Sequence, residues 1–268
     1  MSRGFFAIRS AITWMLFLFI AAPGLACGQQ QPVELQDHVT GLLRIFPPAP
    51  SSNRAWGSTP KNYFKNIWAD QKTIWTSPFR MNRRQWLSVA LPLSAGTAAL
   101  LATDERAMHL LPNSVDQIMW SRRSSDVGAY YGLGGIVGGT MLYDKVRGHS
   151  DWHKIGISAS QALADSFIVS TALKYAAARE RPTSNDGEGR FWKGGNSFPS
   201  GHTMCSFAMA MAIVRSKQSP KWLKVTSIGI STAVGLARWG AQGHFPADVF
   251  VGGVLGGLIG NYVGVHRR

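Results

Sequence analysis

The sequence predicts an all-α protein: a six-helix bundle behind an N-terminal export signal and a short arm. Six apolar stretches run at about 86–102, 129–143, 155–173, 203–214, 223–237 and 247–265. Most of them exceed the ~5–6 residues of a typical strand. None alternates polar and apolar residues at period two, the mark of a half-buried strand. Pro182, Pro199, Pro220 and Pro246 fall in the gaps of the second half, where proline ends or opens a helix.

At 268 residues the chain suffices for one substantial domain and is too short for two large ones. Apolar residues make up 45% and charged residues only 16%, a balance that excludes a disordered chain. The 29 glycines follow no triplet period, which excludes collagen. A mean hydropathy of −0.03 is too low for a chain that is mostly lipid-embedded. Net charge is +14, from 28 basic and 14 acidic residues, which suits an anionic lipid surface or a phosphorylated substrate. Nucleic acid is not an expected partner, because no zinc-finger spacing, RNP-like run or arginine-rich arm is present. Cys27 and Cys205 form neither a disulfide framework nor a CxxC pair.

Arg3 and Arg9 precede an uncharged run from Ala11 to Ala22, followed by Pro23, Gly24 and Ala26. A basic start, about 12 apolar residues and small residues at a cleavage site form a secretory signal. The run is short of the roughly 20 residues a spanning helix needs. Residues 1–26 are therefore read as a signal peptide. Cleavage leaves Cys27 first, although Gly24 and Leu25 match poorly the residues that precede a lipidated cysteine. Residues 27–85 form the arm, rich in Gln, Pro and Ser up to residue 60. Phe64, Ile67, Trp68, Ile74 and Trp75 then follow helical spacing, ended by Pro78. That helix lies either at a membrane interface, with Trp68 and Trp75 at headgroup level, or against the main bundle. Residues 86–268 form the principal domain.

In its last helix Gly252, Gly256, Gly260 and Gly264 recur every four residues, a smooth stripe that lets another helix approach closely. Asp248 lies one step earlier on the stripe, and an ionisable group on a packing face needs a partner.

Three constellations in the window from Lys174 to Asp248 carry chemistry. Lys174 and Arg181 stand seven residues apart, with Pro182 directly after; two helical turns would project both cations from one face. Ser200, in Pro199-Ser200-Gly201-His202-Thr203, is a natural N-cap. The amides after it, Gly201 first, make an anion site beside which His202 is placed to donate a proton. Arg238 is followed by His244 and then Asp248. Four residues put Asp248 in reach of one ring nitrogen of His244, leaving the other free. Each constellation alone is an ordinary helix end. Together they supply three cations, a helix-amide anion site, two histidines and an orienting carboxylate, the inventory for phosphoryl transfer through a histidine nucleophile.

Lys174-x6-Arg181-Pro182, Pro199-Ser200-Gly201-His202 and Arg238-x5-His244-x3-Asp248 closely resemble, in order and spacing, the three signature motifs of the type 2 phosphatidic acid phosphatase (PAP2) and vanadium haloperoxidase superfamily. With the helical pattern the resemblance extends over about 86–265. It implies a PAP2-type fold and a metal-independent phosphatase acting on phosphomonoesters, lipid phosphates or related. His244 then attacks phosphorus to form a phosphohistidine, Asp248 fixes its tautomer, and His202 protonates the leaving oxygen and later activates water. Lys174, Arg181, Arg238, Ser200 and Gly201 hold the phosphate oxygens. Phosphatidate, phosphatidylglycerophosphate, isoprenyl pyrophosphate, lipid A phosphate and small soluble esters all share this chemistry. No metal and no cofactor is expected, and vanadate should inhibit.

The family pattern has Ser where this chain has Ala237, so restoring that hydroxyl is expected to lower KM modestly. The alternatives are a vanadate-dependent haloperoxidase, against which the short chain argues, and a non-catalytic envelope protein that binds phosphorylated lipid.

Topology adds a constraint. Alternating spans would put residues 174–202 and 238–246 on one face and twelve cations, from Arg80 to Arg268, on the other. By the positive-inside rule the cationic face is cytoplasmic, with the active site facing outside. A cleaved signal puts residue 28 outside, and parity then puts the motifs inside. Both cannot hold if all six stretches span. The expectation is an exported protein of the periplasm or cell envelope whose bundle touches the membrane without fully spanning it.

Overall fold

The computed structural model describes residues 60–147, 150–184 and 187–266; the expected signal, Cys27 and the arm up to residue 59 lie outside them. Among the described residues every regular element is helical. Helix α1 (Pro60–Thr76) ends in a 3-10 turn, Ser77–Arg80, that takes up Pro78. A π turn at Trp86–Ala90 leads into α2 (Leu91–Leu101), followed by α3 (Asp104–His109) and α4 (Val115–Asp126). A π segment, Val127–Leu133, joins α4 to α5 (Gly134–Arg147) without a break. The rest of the bundle is α6 (Ser150–Ala177), α7 (Gly201–Arg215), α8 (Lys221–Gly240) and α9 (Pro246–His266).

All six apolar stretches lie in these helices. Helices α3 and α4 were not expected, because their residues DERAMH and VDQIMWSRRSSD are too charged to read as apolar faces. The second starts on a proper cap, the Ser114 side chain accepting from the Gln117 amide at 3.2 Å.

Helix α7 is central, packed on α6, α8 and α9. The glycine stripe explains its closeness to α9: a Cβ at Gly252, Gly256 or Gly260 would run into the carbonyl oxygen of Ser200, Met204 or Ala208. Gly256→Ala should therefore destabilise the fold by at least about 1–3 kcal/mol, the usual cost of overpacking. A thermal melt with an unchanged midpoint would contradict this contact. The same docking brings the Ser200 amide to the Asp248 carbonyl at 3.0 Å, so the starts of α7 and α9 are fixed to each other.

Helix α1 buries Ile74 in the cluster with Ala162, Val169, Ile259 and Tyr262. Its Gln71 amide donates to Asp165 Oδ1 at 2.8 Å, and Tyr262 donates to Asp70 at 3.3 Å. The opposite face carries Phe64, Trp68 and Trp75 outward, Trp68 being 79% exposed. Thus the helix packs on the bundle and still presents an aromatic face. Among the described helices only α9 is long and apolar enough to cross a membrane, and 61% of its apolar window is buried inside the bundle.

Candidate active site

The first cationic pair is built by a helix end. Helix α6 stops at Ala177, where Ala178 turns into the left-handed region (φ 43°). The Ala177 carbonyl is capped by the Trp192 amide, and the Ala178 carbonyl accepts from Lys193 and Gly195. Gly195 is required there, since a Cβ would strike the Arg179 backbone. Arg181 therefore stands beyond the helix, not two turns along it as the spacing implied. It still meets Lys174: Lys174 Nζ donates to the Asn196 carbonyl at 2.5 Å, and Arg181 Nε to Asn196 Oδ1 at 2.7 Å.

Ser200 caps α7 by position, but its side chain makes no capping bond. Its hydroxyl pairs with that of Thr203 at 2.9 Å, and the residue is fully buried behind the cavity wall that Gly201 lines. On this side the cavity is lined by Gly201, at the start of the helix. His202 follows on the first turn of α7, with Nε2 3.7 Å from Asp126 Oδ1. Arg238, in the last turn of α8, has Nη1 4.0 Å from the same oxygen. Ala237 does not line the cavity. Ala237→Ser should then lower KM by no more than the ~0.5–1.5 kcal/mol of one net hydrogen bond, and an unchanged KM would show that a neighbour fills the role.

Pro246 opens α9, with His244 and Phe245 just outside it. Asp248 reaches back to accept from the Phe245 amide at 2.9 Å, half of a capping box. The spacing implied that Asp248 holds the His244 ring directly, and here the structure differs. His244 Nδ1 lies 2.7 Å from the Ser197 carbonyl and 3.8 Å from Asp248 Oδ2. A carbonyl only accepts, so Nδ1 carries the proton and Nε2 the lone pair. Asp248 acts one step removed, taking the Ser197 hydroxyl at 2.5 Å.

Lys174, Arg181, Gly201, His202, Arg238 and His244 converge on one cavity of about 390 Å³. Its other wall is largely apolar, with Ala129, Leu163, Phe167 and Met209. Electrostatics follow from burial and crowded cations. Burial, then the Arg238 cation, pushes His202 down to about 4, with Asp126 opposing. Burial likewise lowers His244 to about 4 against the pull of Asp248. Lys174 falls to about 8 through burial and the neighbouring Arg181. Burial would raise Asp248, but His244, Arg179 and Ser197 outweigh it and hold its carboxyl below the usual range.

Four participants escaped the sequence reading: Asp126, Ser197, Arg179 and Asp104. Arg179 joins Asp248 and Asp104 at 2.7 and 2.8 Å, and burial raises Asp104 to about 6 despite bonds from the Ala247 amide and Arg179. Only Arg179 had a signal, a third cation inside the Lys174–Arg181 window. Among the described residues no group of three or more His, Cys, Asp or Glu side chains is arranged to hold a metal ion.

Residues 156–266, which contain every one of the predicted site residues, match the PAP2 superfamily. The likeness to that superfamily covers this segment of the chain. The chain is also similar to the lipid A 1-phosphatase of Porphyromonas gingivalis, 32% identical over 111 residues. That match covers 41% of this chain and 23% of the relative, so the chain spans about a quarter of that protein's length. Among solved structures, the transmembrane PAP2 type phosphatidylglycerolphosphate phosphatase from Bacillus subtilis is 20% identical, with a TM-score of 0.44 over 76% of this chain and 93% of that one.

Proposed function

We propose that the chain is a PAP2-type phosphatase that hydrolyses the phosphomonoester of a phosphorylated lipid through a phosphohistidine at His244. The observation that carries this reading is the single cavity in which three cations and two histidines face an apolar wall. A phosphate head needs the first end and an acyl tail the second. The similarity to a lipid A 1-phosphatase supports the same class. Lys174, Arg181 and Arg238 supply the positive charge that a metal supplies elsewhere, so chelators should leave activity intact and vanadate should inhibit by occupying the phosphate site. Purified protein should release phosphate from p-nitrophenyl phosphate and from a panel of lipid phosphates. Bromide oxidation by hydrogen peroxide with added vanadate, and no phosphate release, would instead make it a haloperoxidase. Binding without either reaction would make it a lipid-binding protein.

The shifted histidines and lysine give this reading a pH signature. His244, lowered to about 4, is neutral and nucleophilic above that pH. His202, also lowered to about 4, is unprotonated in the empty site at pH 5 to 6, so the proton arrives on the substrate. A phosphomonoester holds it below its second pKa of about 6. Accordingly kcat/KM should rise through pH 4, fall above about 6, and form a bell. Lys174, lowered to about 8, loses its charge above that pH, and KM should climb there. A flat profile from pH 4 to 8 would contradict both assignments.

The reading extends to place. An exported protein with the aromatic face of α1 outward and a net charge of +12 once Arg3 and Arg9 leave with the signal, 26 basic against 14 acidic residues, fits contact with an anionic envelope membrane. Alkaline carbonate should release it from membranes at least in part, and complete retention in the pellet would make it integral.

A further inference from the structure

We propose that Arg179 is a positioning residue for the nucleophile, tying Asp248 to Asp104 so that the two carboxylates hold the backbone from which His244 projects. Its guanidinium is nearly inaccessible and each nitrogen has an assignment. Nη1 donates to Asp248 Oδ1 at 2.7 Å, Nη2 to Asp104 Oδ2 at 2.8 Å, and Nε to the Gly189 carbonyl at 2.8 Å. The remaining carboxylate oxygens face the start of α9. Asp248 Oδ2 takes the Phe245 amide at 2.9 Å, and Asp104 Oδ1 takes the Ala247 amide at 3.0 Å. Two of the first amides after His244 are thereby fixed by carboxylates that share one cation. The guanidinium also lies 4.2 Å over the Phe245 ring, which adjoins His244 in the chain.

The same group reaches the imidazole by a second route. Asp248 Oδ2 holds the Ser197 hydroxyl, and the Ser197 carbonyl takes the His244 Nδ1 proton. Arg179 therefore governs both the backbone beneath the ring and the acceptor that sets its tautomer. Only a planar fork can do this, because a lysine ammonium is a point charge without two parallel donors. Energetics point the same way. A buried cation between two carboxylates is a poor means of stabilising a fold, since well-packed apolar groups often serve as well or better. Its geometry is what an apolar replacement would lose.

The kinetic arm of the test rests on the phosphatase reading; a spectroscopic arm does not. Arg179→Lys keeps the charge and loses the fork, while Asp104→Asn keeps the shape and loses one charge. In folded protein each should lower kcat by about 10²-fold, the cost of misplacing a reacting group by about 1 Å. KM and vanadate affinity should stay near wild type, because neither residue lines the phosphate site. With ¹⁵N-labelled histidine, wild-type His244 should show a protonated Nδ1, and both variants should shift toward mixed tautomers and a changed titration midpoint. Variants that melt lower yet keep the wild-type kcat and His244 ¹⁵N shifts would reduce Arg179 to a structural ion pair and overturn the inference. If wild-type protein hydrolyses no phosphoester, the functional reading falls, and the His244 shifts alone decide the role of Arg179.

Discussion

His244→Ala should abolish turnover and leave no covalent phosphoenzyme. The ring is buried and reaches the cavity, with Nδ1 held by the Ser197 carbonyl at 2.7 Å. That bond directs the lone pair to Nε2, the only ring atom then able to attack phosphorus. Attack makes the imidazole cationic, and the Asp248 carboxylate at 3.8 Å stabilises that charge without taking the proton. Alanine removes the attacking atom itself, so the loss should reach at least about 10⁴-fold in kcat, well beyond any effect on KM. Rapid quench with labelled substrate reads it directly. The quench is kept alkaline, because a phosphorus–nitrogen bond is acid-labile. Label that survives acid, or that persists in His244→Ala, would mean that another group is the nucleophile.

The helices were legible wherever apolar patterning made them. Six apolar stretches became helices, and the glycines of α9 announced the close approach of α7 through the missing Cβ atoms alone. Helix α4 was illegible because its residues serve local charge and the mouth of the site; Asp126 faces His202 and Arg238 from there. The motif residues could be read from spacing, since helix periodicity and cap chemistry are local. The contacts between loops could not. Asp248 is four residues from His244, which suggested a direct bond, yet Ser197, 47 residues away in sequence, takes the Nδ1 proton. Ser200 had the right residue type for a cap, but Thr203 claims its hydroxyl. Asp104 comes from 143 residues before Ala247 with no pattern around it. Only the fold brings such a carboxylate to a helix start.

His202→Ala should discriminate between leaving groups. The residue stands on the first turn of α7, half-exposed in the cavity beside Asp126, where it can meet the oxygen that departs as His244 attacks. An alkoxide or lipid alcohol is a strong base and must be protonated as it leaves, whereas p-nitrophenolate leaves with little help. The variant should therefore lose about 10²–10⁴-fold in kcat/KM on an alkyl or lipid phosphate, the range for a positioned general acid, and much less on p-nitrophenyl phosphate. Its alkaline limb should also flatten with the activated ester, because that limb reports the proton the histidine delivers. On the proposed mechanism His202 then serves as the base that activates water. Breakdown of the phosphoenzyme should slow in turn, so a burst of p-nitrophenolate should precede a slow steady state and the acid-labile species should accumulate. Equal losses on both esters, with no burst, would mean that His202 binds phosphate and transfers no proton. The cations of the site would then have to stabilise the departing oxygen unaided.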